Sequence, residues 1–187
     1  STNKIHSMEM DYYTAVDDLK PNDTAGADMI GTVEFNSACF YRYANLDLGQ
    51  LTKNLQNDAE LTQKTVEAFI KASIHAVPTG KQNSFAAHNP PSLVLAVVRD
   101  GSPVSLANAF VKPVSPNHHG DLVSNSIAEL DKYYGQLTKM YGDGGAKATA
   151  VCVLEDVELK SLKDHVKESV QEVIITAINA AFPGKGA

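Results

Sequence analysis

The chain lacks any run of about 18 apolar residues, which excludes a membrane-spanning helix among its segments. Its first residues also lack the basic-then-apolar order of a secretory signal, so the expected location is cytoplasmic, with no membrane partner. Cysteine is scarce. Cys39 and Cys152 each sit in an apolar, strand-like run without C-x-x-C spacing, which argues against a disulfide framework and reads as two buried free thiols. Asn22-Asp23-Thr24 matches a glycosylation triplet, but without a secretory signal it reads as a turn. A basic surplus is missing too: 16 Lys and Arg stand against 22 Asp and Glu, and the net charge of −6 argues against a free-standing nucleic-acid binder. G-x-S-x-G, P-loop, G-x-G-x-x-G and H-E-x-x-H patterns are absent, and Gly142-Asp143-Gly144-Gly145 reads as a helix stop and tight turn. The sequence offers no catalytic residue, no metal site and no cofactor motif, and it shows no internal repeat.

What is present is enough for one sizeable core: 187 residues, 43% of them hydrophobic and 20% charged. Residues 12–35, YYTAVDDLKPNDTAGADMIGTVEF, pass from an alternating run through turn formers into a second alternating run, which predicts a long hairpin arm. A two-stranded ribbon buries little and is marginal in water unless something lies against it. Residues 32–48 alternate throughout and predict one long strand. Asn57-Asp58-Ala59-Glu60 resembles a capping box, and Val66, Phe69, Ile70, Ile74 and Val77 follow at helical spacing up to Pro78. Residues 92–99 form a continuous apolar run of buried-strand type, and Asp100-Gly101 starts a turn that predicts a hairpin with residues 104–111. Val123, Ile127, Leu130, Tyr134, Leu137 and Tyr141 mark a second helix ended by Gly142, and residues 147–154 read as a further strand. A last helix is expected with Ser161 as its N-cap and Val166, Val170, Val173, Ile174, Ala177 and Ile178 as its apolar stripe. The order β-α-β-β-α-β predicts an α+β, ferredoxin-like core, the plan of RNA-recognition modules, with a protruding hairpin and an extra C-terminal helix. The expected division is residues 1–34 for the N-terminal segment and arm and residues 35–187 for the core.

Few residues suggest chemistry. His118-His119 is an adjacent pair with no third ligand at a metal-binding spacing. Asp17-Asp18 would point to opposite faces of a strand and so would not act as a dyad. The loop PTGKQNSFAAHNPP is more suggestive: Gly80 frees the backbone, Lys81 supplies a cation, and Gln82, Asn83 and Ser84 supply neutral hydrogen-bonding groups, a mixture suited to phosphate and sugar. A plain solvated loop is its alternative reading.

Four blocks, YYTAVDDL, EFNSACFYRYANLDLGQL, PTGKQNSFAAHNP and SLANAFVKPV, in this order and at these separations, resemble the C-terminal part of the backbone subunit of Cascade, the type I-E CRISPR surveillance complex. The likeness runs from about Tyr12 to Val114 and continues only as pattern through the last two helices. Members of that family are about twice as long, with a first strand, basic segments and a helical insertion in the preceding part.

The resemblance implies an antiviral, guide-RNA-binding subunit that is not an enzyme. Its arm would be a thumb that folds over the RNA, displaces a nucleotide at regular intervals and reaches the next copy in a filament. Tyr12, Tyr13 and Thr14 would wedge against the displaced base, with Met29 and Ile30 packing the returning strand. A base face stacks on any ring with no sequence preference, as a guide of arbitrary sequence requires. Arg42, Lys81 and Lys112 would follow the phosphates, with Gln82 and Ser84 beside them. Implied partners are the CRISPR guide RNA, target DNA through it, further copies of the chain and other Cascade subunits. Basic segments in the preceding part would account for the acidic balance here, although VKPVSPNHHG carries less lysine than such a loop is expected to have.

Two alternatives belong to other classes. One is an RNA-cleaving ferredoxin-like CRISPR nuclease using His88, His118 or His119, which should then converge on one cleft. The other is an assembly-only domain without RNA affinity. Further expectations are an open sheet edge, where a parallel partner strand would belong to the preceding part, and a mobile arm tip at residues 21–28.

Overall fold

The computed structural model describes residues 1–4, 8–14, 30–80, 82–116 and 121–184. They form a mixed α/β fold with two small antiparallel sheets. Strand β1 (Met8–Thr14) pairs with β2 (Ile30–Asn36) in a ribbon, and β3 (Leu93–Arg99) pairs with β4 (Ala146–Val153) in the core. Helices α1 (Leu48–Asn54), α2 (Ala59–His75), a single turn α3 (Gln82–Phe85), α4 (Leu122–Tyr141) and α5 (Val170–Ala181) complete the order.

The core follows from strand alternation. Leu93 opposite Val153 and Leu95 opposite Val151 turn to one side of the β3–β4 pair, where Val151 packs in a cluster with Leu106, Ile127, Leu130, Leu159 and Leu162. Val94 opposite Cys152 turns to the other side, against Val66, Ile74, Ile174 and Ile178 of α2 and α5. With both faces covered, β3 reads as an unbroken apolar run. The Leu154 N–H donates to the Ser92 carbonyl across the pair, so the backbone groups of Leu93, Leu95 and Val97 point away from β4. Among the described residues no other strand pairs with that edge.

Helix boundaries obey local chemistry in four places. Asp58 accepts the Leu61 N–H at 2.9 Å and starts α2, which stops before Pro78. Asp121 accepts the Ser124 N–H at 2.8 Å and starts α4, and Gly142, at φ 74°, ends it. The Ser124 N–H donating to Asp121 also holds that carboxyl below its usual value. A carboxylate with a lowered folded-state pKa adds stability that is complete above its unfolded pKa and is lost as pH falls through the folded value. Asp121→Asn, which keeps an acceptor and removes the charge, is therefore expected to flatten this part of the acid limb. Thermal melts of both proteins should separate at neutral pH and converge below the ordinary carboxylate range; a constant separation would refute the assignment.

Three expectations need correction, and in each a long-range bond accompanies the departure from the local pattern. Residues 37–48 do not continue β2. The Cys39 carbonyl takes the Thr2 N–H, the Cys39 N–H goes to Asn3 Oδ1, and Tyr41 turns inward to pack on Phe110 at 5.6 Å. Residues 104–111 are not a strand beside β3. The Leu106 N–H donates to the Tyr41 hydroxyl, and Ala107–Phe110 wind into a 3-10 turn, so the predicted hairpin is replaced by β3 pairing with β4. The four-stranded β-α-β-β-α-β sheet is accordingly not formed by the described strands. Ser161 does not cap the last helix, which begins only at Val170: its N–H donates to Asp131, and Ser169 is the cap, accepting the Glu172 N–H at 3.2 Å. The first residues also join the core: Thr2 is buried with its hydroxyl 2.8 Å from Ser126 of α4. Cys39 and Cys152 are both free and half-buried, and Cys39 lies outside any strand.

Candidate nucleic-acid interface

Met8-Glu9-Met10-Asp11-Tyr12-Tyr13-Thr14 alternates from its first residue, so the ribbon begins four residues before the tyrosines. Its register places Met8 opposite Asn36, Met10 opposite Glu34, Tyr12 opposite Thr32 and Thr14 opposite Ile30 on one face. Glu9 opposite Phe35, Asp11 opposite Val33 and Tyr13 opposite Gly31 share the other. The two faces differ in chemistry.

On the first face, Met8, Met10, Tyr12 and Ile30 are 56–70% exposed, a row of large apolar side chains left to solvent. Ile30 pairs with Thr14 at the end of the ribbon and is 70% exposed; Met29 lies outside the described residues. Nothing in composition marks these residues as a surface. The period-two pattern from Met8 is the available signal.

The second face is partly covered. Phe35 meets Phe85 of α3 edge to face, with ring centroids 4.7 Å apart, which fixes the turn Gln82–Phe85 against the ribbon base. Tyr13 lies across Gly31, and any side chain at Gly31 would collide with that ring. Beside them an open groove of about 380 Å³ is lined by Asp11, Tyr12, Tyr13, Val33, Phe35 and Ser84. Asp11 Oδ1 accepts the Tyr12 N–H at 2.9 Å.

Of the candidate contacts, the groove brings together Tyr12, Tyr13 and Ser84. Gln82 is turned inward, its amide donating to the Pro78 carbonyl at 2.8 Å and its Oε1 enclosed without a partner among the described residues. Arg42 serves the end of α2: its guanidinium donates to the carbonyls of Ser73 at 2.8 Å and Ile74 at 3.1 Å, and to that of Ala76. A cation there satisfies orphan carbonyls and opposes the helix dipole, a role that α2 itself could not reveal because Arg42 lies 31 residues from Ser73. Lys112 is exposed and does not line the groove. Lys81, His118, His119 and the arm tip lie outside the described residues, as does the Thr14 side chain. His88 is exposed in the loop after α3. Among the described residues no three His, Cys, Asp or Glu side chains converge to hold a metal ion.

Comparison with known proteins places this geometry in context. Residues 1–176 match the family described as CT1975-like protein. A solved structure titled "CRISPR RNA-guided surveillance complex" matches at 30% identity and a TM-score of 0.78, over 97% of this chain and 68% of the other. A second, titled "CRISPR RNA-guided surveillance complex, pre-nicking", matches at 31% identity and a TM-score of 0.77, over 97% of this chain and 48% of the other. The chain therefore spans about half the length of the second and about two thirds of the first. No curated protein matches it. With nearly its whole length matched, the chain belongs to the CT1975-like protein family and shares its fold with subunits of CRISPR RNA-guided surveillance complexes.

Proposed function

We propose that the chain belongs to the guide-RNA-binding backbone subunit of a Cascade-type complex of subtype I-E, repeated along the RNA in antiviral surveillance in the cytoplasm. Target DNA would reach it by pairing with the guide, and it would bind without cleaving and without a cofactor. The observation that carries this reading is the ribbon face of Met8, Met10, Tyr12 and Ile30, exposed in a family member whose solved neighbours are RNA-guided complexes. Such a face suits an unstacked base, because aromatic and sulfur-bearing side chains contact any base face and read no edge. The β3–β4 pair would be the nucleus of a ferredoxin-like sheet, completed by a strand along the open edge of β3.

Titration of guide RNA into the protein at its natural full length, at several salt concentrations, tests the reading. Tyr12→Ala is expected to weaken binding by about 1–3 kcal/mol, roughly five- to 150-fold, with the salt slope unchanged, because a lost ring releases no counterion. Lys81→Ala should act on all sequences alike and lower the slope by about 1. An unaltered affinity in Tyr12→Ala removes the basis of the proposal. Cleavage of the RNA that disappears in His88→Ala would replace it with the nuclease reading.

A further inference from the structure

We propose that Phe85 is a positioning residue for the RNA-binding arm: it meets Phe35 on the back of the ribbon and so holds the front face in the orientation that receives RNA. This inference rests on the RNA-binding reading above and adds to it a residue outside the binding face.

A two-stranded ribbon is marginal by itself, so its order depends on what touches it. Phe35 shares a face with Tyr13, opposite the row of Met8, Met10, Tyr12 and Ile30, and it is there that the Phe85 ring meets it edge to face at 4.7 Å. A contact on that side supports the ribbon and leaves the exposed row uncovered. Phe85 is 56% exposed and belongs to neither core cluster, so its ring does little for the core, and its packing value lies in the pair with Phe35.

The turn that carries Phe85 is held by its own bonds. The Ala86 N–H donates to the Gln82 carbonyl at 2.8 Å, and the Gln82 amide donates to the Pro78 carbonyl at 2.8 Å. Ala86, at φ 47°, takes the left-handed conformation directly after Phe85, which an alanine keeps only where its surroundings fix it. The ring is thus presented from a fixed turn, and Ser84, one residue earlier, lines the same groove as Tyr12 and Tyr13. The expected consequence is a population effect. Where only the anchored ribbon receives RNA, freeing it lowers the affinity in proportion to the fraction that stays anchored. The contribution of an aromatic pair corresponds to a change of about two- to twelvefold. No charge is lost with the ring, so the salt slope is unaffected.

The test combines amide hydrogen exchange without RNA and guide-RNA affinity, both on the protein at its natural full length. Phe85→Ala is expected to speed exchange in β1 and β2, to leave β3 and β4 unchanged, and to weaken RNA binding about two- to twelvefold at an unchanged salt slope. Phe85→Tyr keeps the ring and should restore both. Phe35→Leu should match Phe85→Ala, and the double variant should lose no more than either alone, because both remove one contact. Additive losses would mean that Phe85 touches RNA itself, and unchanged exchange would mean that it anchors nothing; either result overturns the proposal. Full affinity in Phe85→Ala, with Tyr12→Ala still weakened, overturns this inference and leaves the RNA-binding reading standing. Full affinity in both variants removes the two together.

Discussion

Asp131→Ala is expected to destabilise the fold by about 3 kcal/mol or more, the largest effect of any single polar substitution considered in this chain. Asp131 projects from α4, is 4% exposed, and accepts backbone N–H bonds from three successive residues of the segment before α5: Lys160 at 2.9 Å, Ser161 at 3.1 Å and Leu162 at 2.8 Å. That segment has no ladder or helix of its own to satisfy those donors, so the carboxylate is what turns it onto α4. Each bond to a charged group contributes about 1.5–3 kcal/mol, and the sum is reduced because Lys160 is exposed and its N–H regains water. Asp131→Asn should recover only part of the loss, since its amide offers one acceptor and sets an NH₂ among donors. Chemical unfolding of both variants measures the effect; a change below about 1 kcal/mol in Asp131→Ala would show that the segment is held by packing alone.

Leu162→Ala is the second large effect, expected at about 2–5 kcal/mol. The Leu162 side chain is 0% exposed and shares one buried cluster with Leu106, Ile127, Leu130, Val151 and Leu159, from four separate parts of the chain. Truncation removes buried methyl groups and leaves a cavity that these neighbours close poorly, because each is fixed by its own element. Leu162→Met, which nearly conserves volume, should cost less than about 1.5 kcal/mol. Similar costs for the two variants would mean that side-chain shape rather than lost volume sets the stability. Both substitutions act on the core and should leave the ribbon's amide spectrum unchanged at temperatures where the protein stays folded.

These two residues also show where sequence reading stopped. The helix at α2 and the one at α4 were legible because apolar residues recur at 3.6 spacing between an Asp cap and a Pro or Gly stop. Strands β3 and β4 were legible as short apolar runs, and four separate blocks carried the family resemblance. Ser161 was the expected cap, whereas Ser169-Val170-Gln171-Glu172 carries the box pattern, with Glu172 accepting the Glu168 N–H at 3.2 Å. The Ser161 N–H donates instead to Asp131, 30 residues away. Likewise the Tyr41 hydroxyl, 65 residues from Leu106, turned a strand-like run into a 3-10 turn.

By itself the sequence determined what depends on neighbours within a few residues: the period of each element, its caps and stops, and the tyrosines of an arm. Tertiary structure alone decided which strands pair, which cations are already occupied, and that the two faces of one ribbon differ, one leaving Met8, Met10, Tyr12 and Ile30 open to solvent, the other grooved beside Phe85. The reason is physical. Local propensities differ by a kcal/mol or less, whereas a buried donor left without its acceptor costs about 1–3 kcal/mol, so long-range hydrogen bonds overrule local pattern wherever the two compete.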